Sequence, residues 1–395
     1  MNNRKKAVIV GAKFGELYLN AFIESHSEFE LAGILAQGSQ RSKNLAIAFG
    51  IPLYQSVSQL PQDITIACVV IRASVIGGVG NLLVEELLKR KIHVLQEHPV
   101  SAKEIQRHLI LAEQCGVQYR VNSFYSACRA GQTLISSAQQ ITEQALKSAS
   151  HGNFTTSRQL LYSTLDILLL ALRNGGPLKP TLLGKQRHFD LINLQSEQGE
   201  YLLQLQNYLD PQDPDMHNLA MHRIMLGWEA GYLSMVDSYG PIHWTPVLHA
   251  DHHLSDQNSL YQAVSSPEGK YLNQPSTQVL YHQPNLVKDL FEELGPEGVL
   301  FTLEQFCHLI DGQIGSHSLT PSHQLNVAQL WEDILTLCGQ PQEKAIPPLH
   351  VFRYKHSIHN IMMQRGECYE PCVQNPLSTW IATSPYLGNL PFCRG

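Results

Sequence analysis

The first 120 residues alternate short apolar runs with stretches of helical periodicity, and few folds accept that alternation. The runs are Ala7 to Val10, Leu31 to Leu35, Ile66 to Ile71, Val94 to Leu95 and Val117 to Val121. Such runs separated by helical segments predict βαβ units and a parallel sheet with helices on its faces. Ligands of these sheets bind beyond the carboxyl ends of the strands. The stretch Ile92-His93-Val94-Leu95-Gln96-Glu97-His98-Pro99 is therefore the first candidate site. It reads as a buried strand that brings a carboxylate and an imidazole to its end, where a proline stops it.

At 395 residues the chain exceeds one typical domain, and two domains with separate cores are expected. Hydrophobic residues at 43% and charged residues at 16% describe an ordinary globular protein. The balance of 28 basic against 34 acidic residues gives a net charge of −6, and no run of Lys or Arg offsets it. Nucleic acid is excluded as a major partner, because the phosphate backbone needs a basic face. The basic start, Met1 to Lys6, is followed only by Ala7 to Val10 before a glycine, too short for the apolar segment of a signal peptide. The longest apolar run, Leu165 to Leu172, is interrupted by Asp166 and falls far below the length a bilayer requires, so no membrane span is expected.

Eight scattered cysteines suit reduced thiols in the cytoplasm better than a disulfide framework. No metal site is expected. Cys368 and Cys372 lack a second ligand pair, and the adjacent His252 and His253 would point apart in a strand.

The strand Ala7 to Val10 runs through Gly11-Ala12-Lys13-Phe14-Gly15 into a helical pattern with Leu17, Leu19, Phe22 and Ile23 on one side. Small residues at such a turn let the backbone approach a pyrophosphate, whose charge meets free amides and the helix dipole. The glycine fingerprint is incomplete in either alignment, so its strand–turn–helix context carries the dinucleotide reading. A NAD enzyme would carry an acid at the end of the second strand for the ribose diol. Here Ala36-Gln37-Gly38-Ser39-Gln40-Arg41-Ser42 has none. Arg41, flanked by the hydroxyls of Ser39 and Ser42, suits a 2′-phosphate and predicts NADPH. Arg72 and Ser74, after the Ile66 to Ile71 run, are expected beside the dinucleotide.

Three segments, Leu45 to Tyr54, Lys91 to Pro99 and Ala112 to Val117, resemble the glucose-fructose oxidoreductase/inositol dehydrogenase superfamily. That superfamily usually has Glu-Lys-Pro where this chain has Glu97-His98-Pro99, and its lysine assists proton transfer at a sugar hydroxyl. One branch is a closer match, the thiazolinyl imine reductases of yersiniabactin- and pyochelin-type siderophore assembly. The strings that carry it are Val10 to Glu16, Leu35 to Ser39, Gln96 to Pro99, Thr156 to Asp166 and Tyr208 to His217, and the resemblance extends from about residue 6 to about 350.

The resemblance implies NADPH-dependent reduction of a thiazoline C=N bond to a thiazolidine. The substrate is thioester-linked to a carrier domain of a nonribosomal peptide synthetase. Hydride goes to carbon, so a proton must reach nitrogen. His98 matches that task by its ordinary titration range, and Tyr125 could donate if its pKa were lowered; by resemblance both correspond to the proposed proton donors. Glu97 is expected to orient the nicotinamide ribose or His98, since an ordinary carboxylate is already ionised at neutral pH.

Helical patterns follow from Ala130 to about Ser148 and from Tyr162 to Arg173, with a strand-like Phe154 to Ser157 between them. Asp166, alone in an apolar helix, is expected to be buried and hydrogen-bonded. Alternation in Tyr201 to Tyr208, Met221 to Leu226 and Tyr232 to Val236 predicts antiparallel strands with one wet face.

The expected fold is thus α/β. An N-terminal Rossmann dinucleotide-binding domain (1–122) precedes an α+β domain (123–350) and an irregular tail (351–395). The resemblance implies an open, mostly antiparallel sheet in the second domain and a homodimer. Rival readings are a sugar or polyol dehydrogenase, and a non-catalytic nucleotide-binding scaffold of siderophore assembly.

Overall fold

The computed structural model describes residues 4–71, 79–173, 175–213, 217–248 and 274–346. Arg72, Ser74, His252, His253 and the tail with Cys368 and Cys372 lie outside them. Residues up to Ala345 form one compact unit that holds two large sheets and a two-stranded one.

The first sheet is built from the apolar runs: β1 (Lys5–Val10), β2 (Phe29–Leu35), β3 (Leu53–Tyr54), β4 (Ile64–Val69), β5 (His93–Glu97) and β6 (Tyr119–Asn122). All pairs are parallel, in the order β3-β2-β1-β4-β5-β6. The order reverses between β1 and β4, the point at which such sheets open a crevice. Ala7 to Val10 and Ile66 to Val69 are fully buried, as strands covered on both faces must be.

Helix α1 (Gly15–Asn20) follows β1, and α2 (Gln40–Phe49), α3 (Val79–Lys89) and α4 (Ala102–Cys115) are the other crossovers. Gly11 has φ +114°, and a Cβ there would stand 2.6 Å from the Val70 carbonyl oxygen, so only glycine lets β1 and β4 come together at this turn. Helix α1 ends after six residues, earlier than the apolar pattern implied, and Ile23 is 66% exposed.

The second sheet has eight strands among the described residues: β7 (His151–Thr156), β8 (Lys179–Lys185), β9 (Phe189–Gln195), β10 (Glu200–Gln206), then, after the short β11 (Tyr208–Leu209), β12 (His222–Trp228), β13 (Gly231–Met235), β14 (Ile242–Pro246) and β15 (Gln278–Tyr281). Only β7 and β10 run parallel. Burial alternates along β9 and β10, so one face is packed and the other is open, as the sequence pattern predicted.

Helices α5 (Arg129–Ala145) and α6 (Leu161–Ala171) precede and follow β7, and α7 (Gly295–Ile310) and α8 (Pro321–Cys338) come after β15. These last two return to the first half. α7 packs on α1, and α8 packs on both α4 and α6. Residues far apart in the chain thereby wall one cleft.

Candidate active site

A cleft of about 2700 Å³ runs along the carboxyl edge of the first sheet, with Lys13, Phe14, Arg41 and Val70 on one side and Arg158, Leu160 and Met221 on the other. His98 and Tyr125 line it between them. β5 and β6 end together, with Glu97 in register opposite Asn122. Tyr18 of α1 locks the two strand ends: its hydroxyl donates to Glu97 Oε2 and accepts from Asn122 Nδ2 at 2.5 Å. Burial raises the Tyr18 pKa well above its ordinary value, reinforced by the Glu97 charge, so this hydroxyl keeps its proton.

His98 comes immediately after β5. Its Nδ1 lies 3.0 Å from the Asn122 carbonyl oxygen and 3.1 Å from Glu97 Oε1. Both neighbours are acceptors, so Nδ1 carries a proton and the titrating position is Nε2. Nε2 has no hydrogen-bond partner among the described residues. Burial is the largest influence on this imidazole and lowers its pKa, but the Glu97 carboxylate, the Asn122 carbonyl and the more distant Asp166 together outweigh it. The net direction is upward from 6.5. The ring stacks on Tyr162 at 5.5 Å and meets Tyr125 edge-on at 6.4 Å.

Tyr125 follows β6 in a short 3-10 turn, Phe124–Ser126. It packs on Phe124 at 4.2 Å and His222 at 4.6 Å, with the Tyr239 ring 6.1 Å away. The lowered pKa that would make Tyr125 a ready proton donor is not found. Burial, aided by the Glu97 charge, pushes it upward. It lines the cleft beside His98 with a neutral hydroxyl.

Beneath Tyr125 lies His222, which the sequence reading did not single out. Its Nε2 is 2.8 Å from Ser163 Oγ and its Nδ1 2.7 Å from Ser238 Oγ. Full burial, with the charge on His98 added, lowers its pKa to about 3, so it is neutral in the cleft. Asp166 is buried in α6 as expected, with Oδ1 2.6 Å from His323 Nε2.

At the dinucleotide end, the turn Gly11-Ala12-Lys13-Phe14-Gly15 stands beyond β1. A Cβ at Gly15 would come within 3.2 Å of the Ile9 side chain, so a small residue is what lets α1 approach the strand. Arg41 crosses this turn, with Nε donating to the Ala12 carbonyl at 2.8 Å and the guanidinium paired with Glu16.

The hydroxyls expected beside Arg41 are engaged at the start of α2. Ser42 is fully buried, and its Oγ donates to the Ser39 carbonyl at 2.8 Å. Ser39 Oγ is the N-cap of α2, accepting from Ser42 N at 3.3 Å. Both hydroxyls serve the helix start, and Arg41 alone of the three lines the cleft. A glycine turn at the sheet's switch point, flanked by Lys13 and Arg41, fits a dinucleotide.

Among the described residues no group of three His, Cys, Asp or Glu side chains could hold a metal ion. No helix among them is long and apolar enough to cross a membrane.

Residues 5–123 match the oxidoreductase family with an NAD-binding Rossmann fold (GFO/IDH/MocA), and residues 147–245 match the Irp3-like thiazolinyl imine reductase C-terminal domain. No curated protein matches the chain in sequence. Several solved structures share its fold. An oxidoreductase from Agrobacterium radiobacter in complex with NAD+, L-tartaric acid and magnesium is 14% identical with TM-score 0.60, the match covering 85% of this chain and 96% of that one. A variant of the 3-ketoreductase KijD10 from Actinomadura kijaniata, with TDP-benzene and NADP, is 14% identical with TM-score 0.61 over 86% and 99%. The UDP-N-acetylglucosamine 3-dehydrogenase GnnA from Acidithiobacillus ferrooxidans is 11% identical with TM-score 0.58 over 86% and 100%. At these identities the likeness is one of fold. Taken with the two family matches and the cleft between the sheets, the chain is an oxidoreductase of the GFO/IDH/MocA family, NAD(P)-binding, with an Irp3-like C-terminal domain.

Proposed function

We propose that this oxidoreductase uses NADPH to reduce the C=N bond of a thiazoline to a thiazolidine. The thiazoline is carried as a thioester on a carrier domain during nonribosomal siderophore assembly. The observation that carries the reading is the His98 imidazole in the cleft: Nδ1 is committed to two acceptors, Nε2 is without a partner, and the neighbouring carboxylate favours the protonated ring. The Irp3-like match over residues 147–245 supports the substrate class.

Bound NADPH supplies hydride to the imine carbon. The Gly11 to Gly15 turn would hold the pyrophosphate, and Arg41 would meet a 2′-phosphate. β2 is followed by Ala36-Gln37-Gly38 without an acid for a ribose diol, and Glu16 beside it is already paired with Arg41.

His98 releases the proton on Nε2 to the ring nitrogen as the C=N double bond becomes C–N. One hydride and one proton thus account for the two hydrogens gained. The neutral imidazole left behind regains a proton from the solvent that enters the open cleft. Glu97 holds the ring, and Tyr125 contributes a neutral hydroxyl. Oxidation of a sugar hydroxyl would instead need a base, and a carboxylate that keeps His98 protonated works against it.

By the same family likeness we take the chain to work in the cytoplasm as a homodimer through the open face of its second sheet, where Tyr232 and Val279 are exposed. Light scattering at micromolar concentration would give twice the mass of 44.3 kDa, and a monomer would refute that part.

The substrate test follows NADPH absorbance with a thiazoline thioester mimic beside free sugars. Imine-dependent oxidation is expected. Turnover of sugars with none of the imine would replace the proposed function.

A further inference from the structure

The carboxylate beside His98 is itself held by a side chain from another element. Tyr18 is fully buried within α1, the first helix after the glycine turn. Its hydroxyl donates to Glu97 Oε2, while the opposite oxygen, Oε1, lies 3.1 Å from His98 Nδ1. Asn122 joins the two ends. Its Nδ2 donates to the Tyr18 hydroxyl at 2.5 Å, and its carbonyl oxygen lies 3.0 Å from the same Nδ1. Tyr18, Glu97, His98 and Asn122 thus form a closed circuit.

The phenol meets a definite need in that circuit. Glu97 lines the open cleft, and its side chain is 11% exposed. Deprived of a donor on Oε2, the carboxylate gains by turning toward the water of the cleft, because a buried oxygen without a hydrogen bond is costly. That turn would take Oε1 away from Nδ1. Tyr18 prevents it by supplying the donor from the protein side, and burial, with the Glu97 charge adding to it, keeps the proton on its hydroxyl.

The other ionisable groups around the pair are Cys68 of β4, Tyr125 after β6, Tyr162 and Asp166 of α6, and His222 of β12. Burial keeps the thiol and both phenols protonated and His222 neutral. Asp166, paired with His323, also acts on His98, but its influence is smaller than that of Glu97. The orientation of Glu97 is therefore the main variable that governs the charge on His98.

We propose that Tyr18 is a positioning residue of this site, its hydroxyl fixing the Glu97 carboxylate so that Oε1 faces His98 Nδ1. The role deepens, and rests on, the reading of His98 as the proton donor. Tyr18 acts on the imidazole only through Glu97.

The test reads the His98 ring itself, so it does not depend on whether an imine is reduced. The full chain carrying isotope-labelled histidine is titrated with pH by nuclear magnetic resonance, and His98→Ala assigns the signal. Tyr18→Phe keeps the ring packing and loses the hydroxyl. In this variant His98 is expected to lose its proton at a pH lower by roughly half a unit or more, about a threefold fall in the protonated fraction above the midpoint. Glu97→Gln is expected to shift further in the same direction, and the double variant to titrate as Glu97→Gln alone. Melting temperature and NADP+ affinity, followed in parallel, show that each variant is folded. An unchanged titration in Tyr18→Phe, or one moved to higher pH, overturns the proposal. A double variant that shifts by the sum of the single ones also overturns it, since Tyr18 would then act without Glu97. The expected shifts in a chain that reduces no imine would leave the positioning role standing and remove the substrate reading alone.

Discussion

Replacing Glu97 by glutamine removes one charge from the site and little else. The carboxylate oxygen lies 3.1 Å from His98 Nδ1, and both side chains are at least 89% shielded from solvent, with 11% and 5% exposed. Opposite charges about 4 Å apart at an effective dielectric constant near 20 attract by about 4 kcal/mol. That attraction is what overcomes the burial penalty on the imidazolium, and glutamine still offers Nδ1 a neutral oxygen. With the charge gone, the Asn122 carbonyl and Asp166 remain, and burial should regain control. Each pH unit by which the imidazole then loses its proton sooner corresponds to about 1.4 kcal/mol and a factor of ten in the protonated fraction.

The assay is the pH profile of kcat/KM for imine reduction. Activity needs the proton on Nε2, so it falls as pH rises through the titration of His98. In Glu97→Gln this alkaline limb is expected to move to lower pH by at least one unit. The rate at a fixed pH above the limb should drop about tenfold, and the plateau below it should stay within about threefold of wild type. A limb at unchanged pH, or a uniform loss at every pH, would refute the electrostatic role of Glu97.

Arg41→Ala should raise the Kd for NADPH on the order of 10- to 100-fold, the worth of a charge-assisted contact, while NADH binding changes little; equal losses for both would remove Arg41 from the 2′-phosphate. His222→Phe should leave the Ser163 and Ser238 hydroxyls without their imidazole partner beneath Tyr125, lowering stability by roughly 1–3 kcal/mol and reducing kcat with NADPH affinity unchanged; unaltered kcat would make His222 purely structural. His108 is fully buried with neither ring nitrogen hydrogen-bonded, and burial, with a smaller contribution from Arg107, lowers its pKa to about 4. The unfolded chain therefore takes up this proton first, and stability present above pH 6.5 is lost as pH falls toward 4; between pH 7.5 and 5 the loss from His108 is ~2 kcal/mol. His222 acts in the same direction. Denaturant titrations should show His108→Phe less acid-sensitive by about that amount, and an identical pH dependence would contradict the argument.

Much of the first half was legible because its code is local. An apolar run followed by a glycine turn gives β1 and the start of α1 whatever the rest of the chain does, and a proline after Glu97-His98 marks where β5 must stop. The strand ends fell within two or three residues of the predicted runs. Helix α1 was read too long, because Phe22 and Ile23 continue the apolar spacing after the helix has closed at Asn20.

The two serines flanking Arg41 illustrate a different limit. Ser39-x-x-Ser42 is equally a phosphate-binding pair and a helix cap, and only the dihedral angles of α2 show that the cap wins. The layer beneath the site could not be read from sequence. Tyr18 reaches Glu97 across 79 residues, His222 reaches Ser163 across 59, and His323 reaches Asp166 across 157. None of these residues stands in a spacing that signals its partner. They meet because α1, α6, β12 and α8 converge on the ends of β5 and β6.

The most direct test of the account is the His98→Ala variant, compared with wild type in single-turnover reduction of a thiazoline thioester under saturating NADPH. Loss of the acid should slow the chemical step on the order of a hundredfold or more near neutral pH, with the Kd for NADPH unchanged. A rate within threefold of wild type would show that the proton comes from elsewhere and would contradict the account at its centre.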